Sequence, residues 1–588
     1  MNSATAHLRT TLLQAKTGTL VDLHSIRQHF PALQQQVNDH PLIYLDNAAT
    51  SQKPEVVIKT VEQFYRYQNA NVHRGAHLLS ERATSAFEAS RTTVQQFINA
   101  ASEQEIIWTR GTTEGINLIA QSYARPQLQP GDEILLTELE HHANIVPWQI
   151  VAEQTDAVIR VVPINANGDL NLQRFSELLN DKTRIVSLTH ISNALGTINP
   201  VAGLVRQAKA AGAVVVIDGA QAVPHLEIDV QRLGCDFYLF SGHKLFAPTG
   251  IGVLYGRKAL LETMPPWQGG GEMIKRVSFS GTTYNDLPFK FEAGTPNISG
   301  ALGLAEAIRF LTALDRKTLA QHERALMSRA IELCSAIPGF NRIGSPTACA
   351  SILSFQISSH HQQDIGLLLD QQGIALRTGH HCAMPLMERL GLPGTVRASF
   401  CFYNTLEEVE RFAQALEQIS QNRSFAVAET VSEQAIFNDS PFGREIRDSN
   451  IISQLTSLKS WNDRYREIMQ LGKQLPAFTS SMKSEQYRIS GCESDAWLQV
   501  SRDDKGALWF AADSDARIIR GLIALVLAAL NGRQPEEILA FDIEDYFAEL
   551  NLIRHLSPSR GNGLKAIIKA VKKCAREASG QSSDAERD

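Results

Sequence analysis

Between Leu42 and about Asn422, short runs of β-branched and aliphatic residues alternate with longer stretches of helical periodicity. That alternation restricts this part of the chain to an α/β architecture built on a mostly parallel sheet. The runs Glu133–Leu136, Ile185–Leu188 and Val214–Ile217 are too short for helices and are bounded by turn or polar residues, so each reads as a buried strand. Phe237–Phe240 is a further, aromatic-rich strand candidate. Ligands of open parallel sheets bind beyond the carboxyl ends of the strands. Asp218 and Ser241–Lys244 follow two of these runs and so stand where a cofactor is expected.

At 588 residues the chain has room for about three or four folding units. Hydrophobic residues make up 43% and charged residues 20%, the balance of a globular protein rather than a disordered one. With 62 acidic against 56 basic residues the net charge is −6, and no global positive field draws the chain to nucleic acid or anionic lipid. Small molecules and proteins are the expected partners. The seven cysteines are widely spaced with no Cys-x-x-Cys pair, which argues against a zinc ribbon and a disulfide scaffold; no metal site is expected. Residues 1–21 hold His7, Arg9 and Lys16 without a continuous apolar segment, unlike a secretory signal. The longest apolar run, Leu522–Leu530, is about half of the ~18 residues a membrane span needs. A cytoplasmic protein is expected.

The division expected from the pattern is an N-terminal extension over 1–21, an α/β unit over 22–422, a linker over 423–450 and a compact α+β unit over 451–588. Across the linker periodicity fades among Ser, Asp, Asn, Glu and Pro441. Beyond it, Ile451–Leu475 reads as helix, Tyr487–Trp497 and Gly506–Phe510 as strands, and Ser514–Leu530 as a buried helix. A last helix sets Leu564, Ile567, Ile568 and Val571 on one face, with Lys565, Lys569, Lys572 and Lys573 around the rest as a solvated basic surface or a docking surface.

The chemistry concentrates in few residues. Ser241-Gly242-His243-Lys244 follows a strand and precedes a glycine-rich stretch, Pro248–Gly252, and Asp218 lies 26 residues before Lys244. A lysine able to form a Schiff base and an acid able to pair with a pyridine nitrogen are the two protein groups pyridoxal phosphate most needs. Asp218 can equally cap a helix, as can Thr112 in Arg110-Gly111-Thr112-Thr113-Glu114-Gly115, a segment that otherwise offers hydroxyls and N–H groups to a phosphate. His141 and His142 could bind a metal with Glu140, but adjacent side chains diverge and nothing nearby completes a site; an aromatic lid over a cofactor ring fits better. Cys382 has His380, His381 and Arg377 as neighbours, all of which could raise its thiolate fraction.

Together, Arg110–Gly115, Glu140-His141-His142-Ala143-Asn144, Asp218–Gln221, Ser241–Lys244 and Arg377-Thr378-Gly379-His380-His381-Cys382 resemble the SufS/CsdA cysteine desulfurases. These are group II members of the class V aminotransferase, fold-type I superfamily, and the likeness runs from about Leu42 to Asn422. It implies a pyridoxal 5'-phosphate fold-type I unit with a smaller α/β domain. By the same resemblance Lys244 is the Schiff-base lysine, Asp218 the partner of the pyridine nitrogen, Gln221 the donor to the ring hydroxyl and His141 the ring-stacking residue. Thr112, Thr113, Ser241 and His243 would hold the phosphate. Thr295 would reach the phosphate of a neighbouring subunit, which implies a homodimer. Arg397, with Asn193 and Arg377, would receive the substrate carboxylate, a task suited to a guanidinium fork; a surface ion pair is the plainer reading of Arg397. Cys382 would take sulfur from L-cysteine as a persulfide while L-alanine leaves. A selenocysteine lyase, which would act on L-selenocysteine without a protein nucleophile, is the alternative.

The last unit resembles the SufE/CsdE sulfur acceptors from about Ser440 to Ala575, through Tyr487–Ser494, Trp497, Asp513-Ser514-Asp515 and Leu556–Arg560. The resemblance makes Cys492 the acceptor of sulfur from Cys382, on its way to an iron–sulfur scaffold or another acceptor. A glycine before the cysteine frees the backbone to present the thiol. Cys574 has no counterpart and reads as structural. Fusing two normally separate proteins would make the transfer intramolecular, at up to about millimolar effective concentration if the tether reaches.

Overall fold

The computed structural model describes residues 23–358, 360–421, 435–458, 461–479, 481–491, 494–552, 556 and 558–580. They fall into two compact units, one drawn from Met1–Phe355 and Gln372–Ala415, the other from Gln356–Gln371 and Leu416–Asp588.

Seven strands make the main sheet of the first unit: β1 (Ile106–Thr109), β2 (Glu133–Thr137), β3 (Val158–Val162), β4 (Thr183–Thr189), β5 (Val214–Asp218), β6 (Phe237–Ser241) and β7 (Gly252–Gly256). Their order is β1-β7-β6-β5-β4-β2-β3. The pairs from β6 through β3 are parallel, and β7 runs against both β1 and β6. All four runs read as strands from the sequence are strands here. Successive side chains on a strand point to opposite faces, and the packing follows that rule. Leu135, Val215, Ile217, Tyr238 and Phe240 join one core with residues of α1 (Leu78–Phe97) and of two later helices, while Ile134, Leu136, Val216, Phe237 and Leu239 join another with residues of α2 (Thr112–Leu118) and α3 (Val146–Thr155). The later helices of the first core are α4 (Val201–Ala210) and α5 (Ile298–Thr312). Burial on both faces explains why these strands read as unbroken apolar runs.

A second sheet holds β8 (Phe340–Arg342), β9 (Ile352–Ile357), β10 (Arg377–Gly379) and β11 (Thr395–Ser399) in the order β8-β9-β11-β10. Its register sets Arg397 directly opposite Arg377 on one side and Ser354 on the other.

The second unit contains α6 (Asp448–Ser457), α7 (Trp461–Lys473), the antiparallel hairpin β12 (Ala496–Arg502) and β13 (Leu508–Ser514), α8 (Arg517–Leu530) and α9 (Pro558–Ala578). Every residue of α8 from Ile518 to Leu530 is buried. Helix α7 packs closely on it because Gly521 has no side chain: a Cβ there would lie 2.5 Å from the carbonyl oxygen of Ile468. Leu564, Ile567 and Val571 of α9 close the core, as their spacing indicates. Three expectations shift. The helix expected over Ile451–Leu475 is two helices, α6 and α7. The strand expected over Tyr487–Trp497 begins only at Ala496, because Glu485–Tyr487 is a 3-10 turn and Gly491 takes a left-handed backbone, φ 89°. The stretch 423–450 is structured in its described part, with a short helix at Ala435–Asn438 and Phe442 fully buried. Among the described residues no helix is long and apolar enough to cross a membrane.

Candidate active site

The carboxyl ends of β2, β4, β5 and β6 open onto a cavity of about 250 Å³ in the first unit. It is lined by Lys244, Asp218, Gln221, His141, Asn193, Thr112, Thr113, Ser241, His243, Arg377, Cys382 and Arg397, with His381, Thr189, Ile191 and alanines completing the wall. One cavity thus collects twelve of the residues singled out in the sequence. Thr295 is not among them. It is exposed and lines a separate cavity with Arg110, Trp267 and Gln268. Cys492 lies outside the described residues.

Lys244 ends a 3-10 turn after β6. Burial holds its amine down to about 8, against the opposing pull of Asp218 and Cys382. Asp218 closes β5 and is fully buried, which raises its carboxyl above the usual range; the N–H of Ala220 at 2.9 Å and the charge of Lys244 work the other way. The chain turns after Asp218 rather than starting a helix, so the capping role does not apply. A buried acid of this kind gains a partner when a protonated ring nitrogen comes to it. His141 is pushed down to about 3 by burial and by Lys244, and its Nδ1 accepts the N–H of Ala143 at 3.0 Å, so the neutral ring carries its proton on Nε2. Gln221 donates to the carbonyl of Ala48 at 2.6 Å while lining the cavity.

Another part of the lining is built for an anion. Helix α2 starts without a cap from its own cap residue, since Gly111 rather than Thr112 holds that position, so beyond Thr112 its first-turn N–H groups meet no side-chain cap. Ser241 Oγ accepts the N–H of Thr112 at 2.9 Å and lies 2.9 Å from its hydroxyl. A Cβ on Gly252 would fall 2.5 Å from the Cα of Gly111, so β7 must carry glycine there for the turn to sit this close. One cavity thus offers a carboxylate, an amine, and hydroxyls beside a helix start, the groups that suit the ring nitrogen, aldehyde and phosphate of pyridoxal phosphate.

Of the six cysteines among the described residues, Cys382 is the exposed one. It and His381 both take left-handed backbones, at φ 55° and 53°, a conformation that costs an ordinary residue about 1–3 kcal/mol and collects at functional sites. Bonds from several directions hold this turn. Asn193 Nδ2 donates to the carbonyl of His381 at 2.7 Å, and the N–H of His142 to that of Cys382 at 2.8 Å. The N–H of Cys382 reaches His380 Nδ1 at 3.1 Å, and that of Met384 reaches His142 Nε2 at 3.0 Å. His142 therefore braces the thiol loop; among the described residues no cluster gathers a metal around it and His141. His381 does not lend the thiol a positive charge. It is buried against Thr395 Oγ1 at 2.8 Å, and burial keeps it neutral well below its usual range. Lys244, Arg377 and Arg397 each interact electrostatically with Cys382.

Arg397 is no surface ion pair: it is 2% exposed. Its Nη1 donates to the carbonyl of Asn193 at 2.8 Å and its Nη2 to Asp46 at 3.2 Å. Two residues the motifs left without a role stand out. Asp46 pairs with both Arg377 and Arg397. Glu140 is fully buried, with its carboxyl pushed up to about 8 by burial, and accepts from Thr137 at 2.6 Å, Asn144 at 2.6 Å and the N–H of Thr189 at 3.0 Å. Asn144 in turn takes the indole N–H of Trp148 and the hydroxyl of Ser187, so this network ties the His141 turn to β2, β4 and α3.

Comparison with known proteins agrees with this geometry. Residues 43–412 match the aminotransferase class-V family, and residues 449–575 match the SufE family, described as an Fe-S metabolism associated domain. A probable cysteine desulfurase of Vibrio cholerae is 54% identical over 400 residues, covering 68% of this chain and 98% of the relative. A cysteine desulfurase of Pectobacterium atrosepticum is 51% identical over 398 residues, with the same coverage. The crystal structure of the Escherichia coli cysteine desulfurase CsdA in its S-sulfonic acid form superposes with a TM-score of 0.65 at 44% identity, covering 69% of this chain and all of that one. The chain belongs to the class-V aminotransferase family, as a pyridoxal-phosphate-dependent cysteine desulfurase that carries a SufE domain on the same polypeptide.

Proposed function

We propose that this protein converts L-cysteine to L-alanine, stores the sulfur as a persulfide on Cys382 and passes it to Cys492 for iron–sulfur cluster assembly. One observation carries the reading: Cys382, exposed on a strained turn, lines the same cavity as Lys244, Asp218 and Arg397.

Bound pyridoxal phosphate supplies an aldehyde for the substrate amine and a ring that takes up the electron pair left by the departing α-proton. Lys244 holds the cofactor and, once released, accepts the α-proton on Nζ, a role that suits an amine poised at about 8. Asp218 keeps a proton on the ring nitrogen. Arg397 receives the substrate carboxylate, and His141 covers the ring. Cys382 Sγ attacks the substrate sulfur. A sulfur–sulfur bond forms as the Cβ–S bond breaks, and its electron pair stays with the carbon skeleton, which takes up protons and leaves as alanine. Cys492 Sγ then attacks the outer sulfur of the persulfide, the bond between the two sulfurs of Cys382 breaks, and the Cys382 thiolate returns.

Thr295, on a separate cavity from Lys244, serves the phosphate of a second copy, so the working unit is a homodimer. The wide spacing of the cysteines suits a reducing cytoplasm. The deciding experiment replaces Cys382 by alanine in the holoenzyme and follows alanine release from L-cysteine. Alanine formation should be lost while the yellow cofactor band remains. Retained turnover with cysteine would overturn the reading; cleavage of L-selenocysteine that survives the replacement would show that Cys382 serves sulfur alone.

A further inference from the structure

Asp46 follows the two-residue strand Ile43–Tyr44 and forms a backbone bridge with Ser399 at the end of β11. This brings its carboxylate to two arginines that face each other across the β10–β11 ladder. Like charges directly opposite one another on paired strands are destabilising, and Arg397 is buried as well. Asp46 supplies the offset. It accepts from Arg377 Nε at 3.1 and 3.2 Å, from Arg377 Nη2 at 2.9 Å and from Arg397 Nη2 at 3.2 Å. With Arg397 Nη1 on the carbonyl of Asn193 and Nη2 on Asp46, Nε is the one guanidinium nitrogen that is buried with no partner. A desolvated donor left open is costly unless an acceptor comes to it, and Arg397 lines the cavity shared by Lys244 and Cys382. Asp46 is not among the residues that line that cavity.

Building on the desulfurase reading above, we propose that Asp46 is a positioning residue that holds Arg377 and Arg397 as one clamp and, by engaging Nη2 of Arg397 while leaving Nε open, fixes where the α-carboxylate of the amino-acid substrate is received. The three side chains carry a net charge of +1, which one carboxylate neutralises. Asp46 itself neither touches the substrate nor moves a proton.

The test compares two amines that differ only by the carboxylate, L-alanine and ethylamine, titrated into the full-length holoenzyme while the absorbance of the bound cofactor is followed. Asp46→Asn should weaken L-alanine binding tenfold or more and ethylamine binding less than threefold, and the KM for L-cysteine should rise by a larger factor than kcat falls. Asp46→Glu, which keeps the charge at a shifted position, should give a smaller loss confined to L-alanine, and it carries the test alone if Asp46→Asn does not fold. L-alanine binding unchanged within threefold, equal loss for both amines, or tighter binding of L-alanine each overturns the proposal. Failure of the wild type to release alanine from L-cysteine would instead refute the desulfurase reading, while the two titrations would still report on Asp46.

Discussion

Lys244 sits between opposing influences, and their balance sets a measurable pH. Burial disfavours the ammonium, Asp218 and Cys382 favour it, and burial wins, leaving the amine at about 8 rather than 10.5. The amine is therefore protonated below about 8 and free above it. Uptake of pyridoxal phosphate by cofactor-free protein, followed by its colour, should quicken as pH rises through that value. Replacement of Lys244 by alanine should leave no cofactor fixed by borohydride and slow alanine formation by a factor of about 10²–10⁴ or more. Lys244, Asp218 and Cys382 were legible in the sequence because each lies inside a short motif with its neighbours. Asp46 was not, because its partners are 331 and 351 positions away and a lone acid after a short strand points to nothing. His381 misled for the opposite reason: adjacency to Cys382 suggested a charge, but the backbone turn sends its ring into the core beside Thr395.

Elements, more than single residues, decide how the thiol is presented. Asn193 joins the turn at His381 to Arg397, bonding one through its side chain and the other through its carbonyl. Asn193→Ala removes the first bond and frees a turn that holds two left-handed residues; a hydrogen bond of this kind is worth about 1–3 kcal/mol once the acceptor is left buried, so kcat/KM for L-cysteine should fall by about tenfold to a hundredfold. Gly252→Ala acts at the start of α2. A Cβ 2.5 Å from Gly111 forces β7 and the α2 turn apart, at about 1–3 kcal/mol of stability, and the holoenzyme should lose cofactor at a lower temperature than the wild type. The strands were legible because burial on both faces leaves continuous apolar runs, as in Val214–Ile217. In the second unit the signal weakened: Ile489 is buried like a strand residue, yet Gly491 turns the chain before β12 begins. Phe442 was hidden among the polar residues that made 423–450 look unfolded.

At the scale of the whole molecule, two units with separate cores share one polypeptide. The two family matches, 43–412 and 449–575, do not overlap, and the Vibrio cholerae relative consists almost wholly of the first part, so residues 1–421 and 435–588 should each fold when made alone, the second without Leu367 of its core. Covalent linkage then bears on rate rather than on fold. In one chain, the proposed passage of sulfur from Cys382 to Cys492 would be a first-order event whose rate does not change on dilution, whereas two separate proteins must first meet. Residues 1–421 and 435–588, produced separately and mixed, should still form alanine and a persulfide on Cys382. Transfer to Cys492 in that mixture should slow in proportion to dilution, while the intact chain, followed by mass spectrometry of labelled sulfur on each cysteine, should keep a constant rate. A dilution-dependent rate in the intact chain would mean that sulfur passes between different molecules, and that the fusion serves equal production of the two units rather than a tethered transfer.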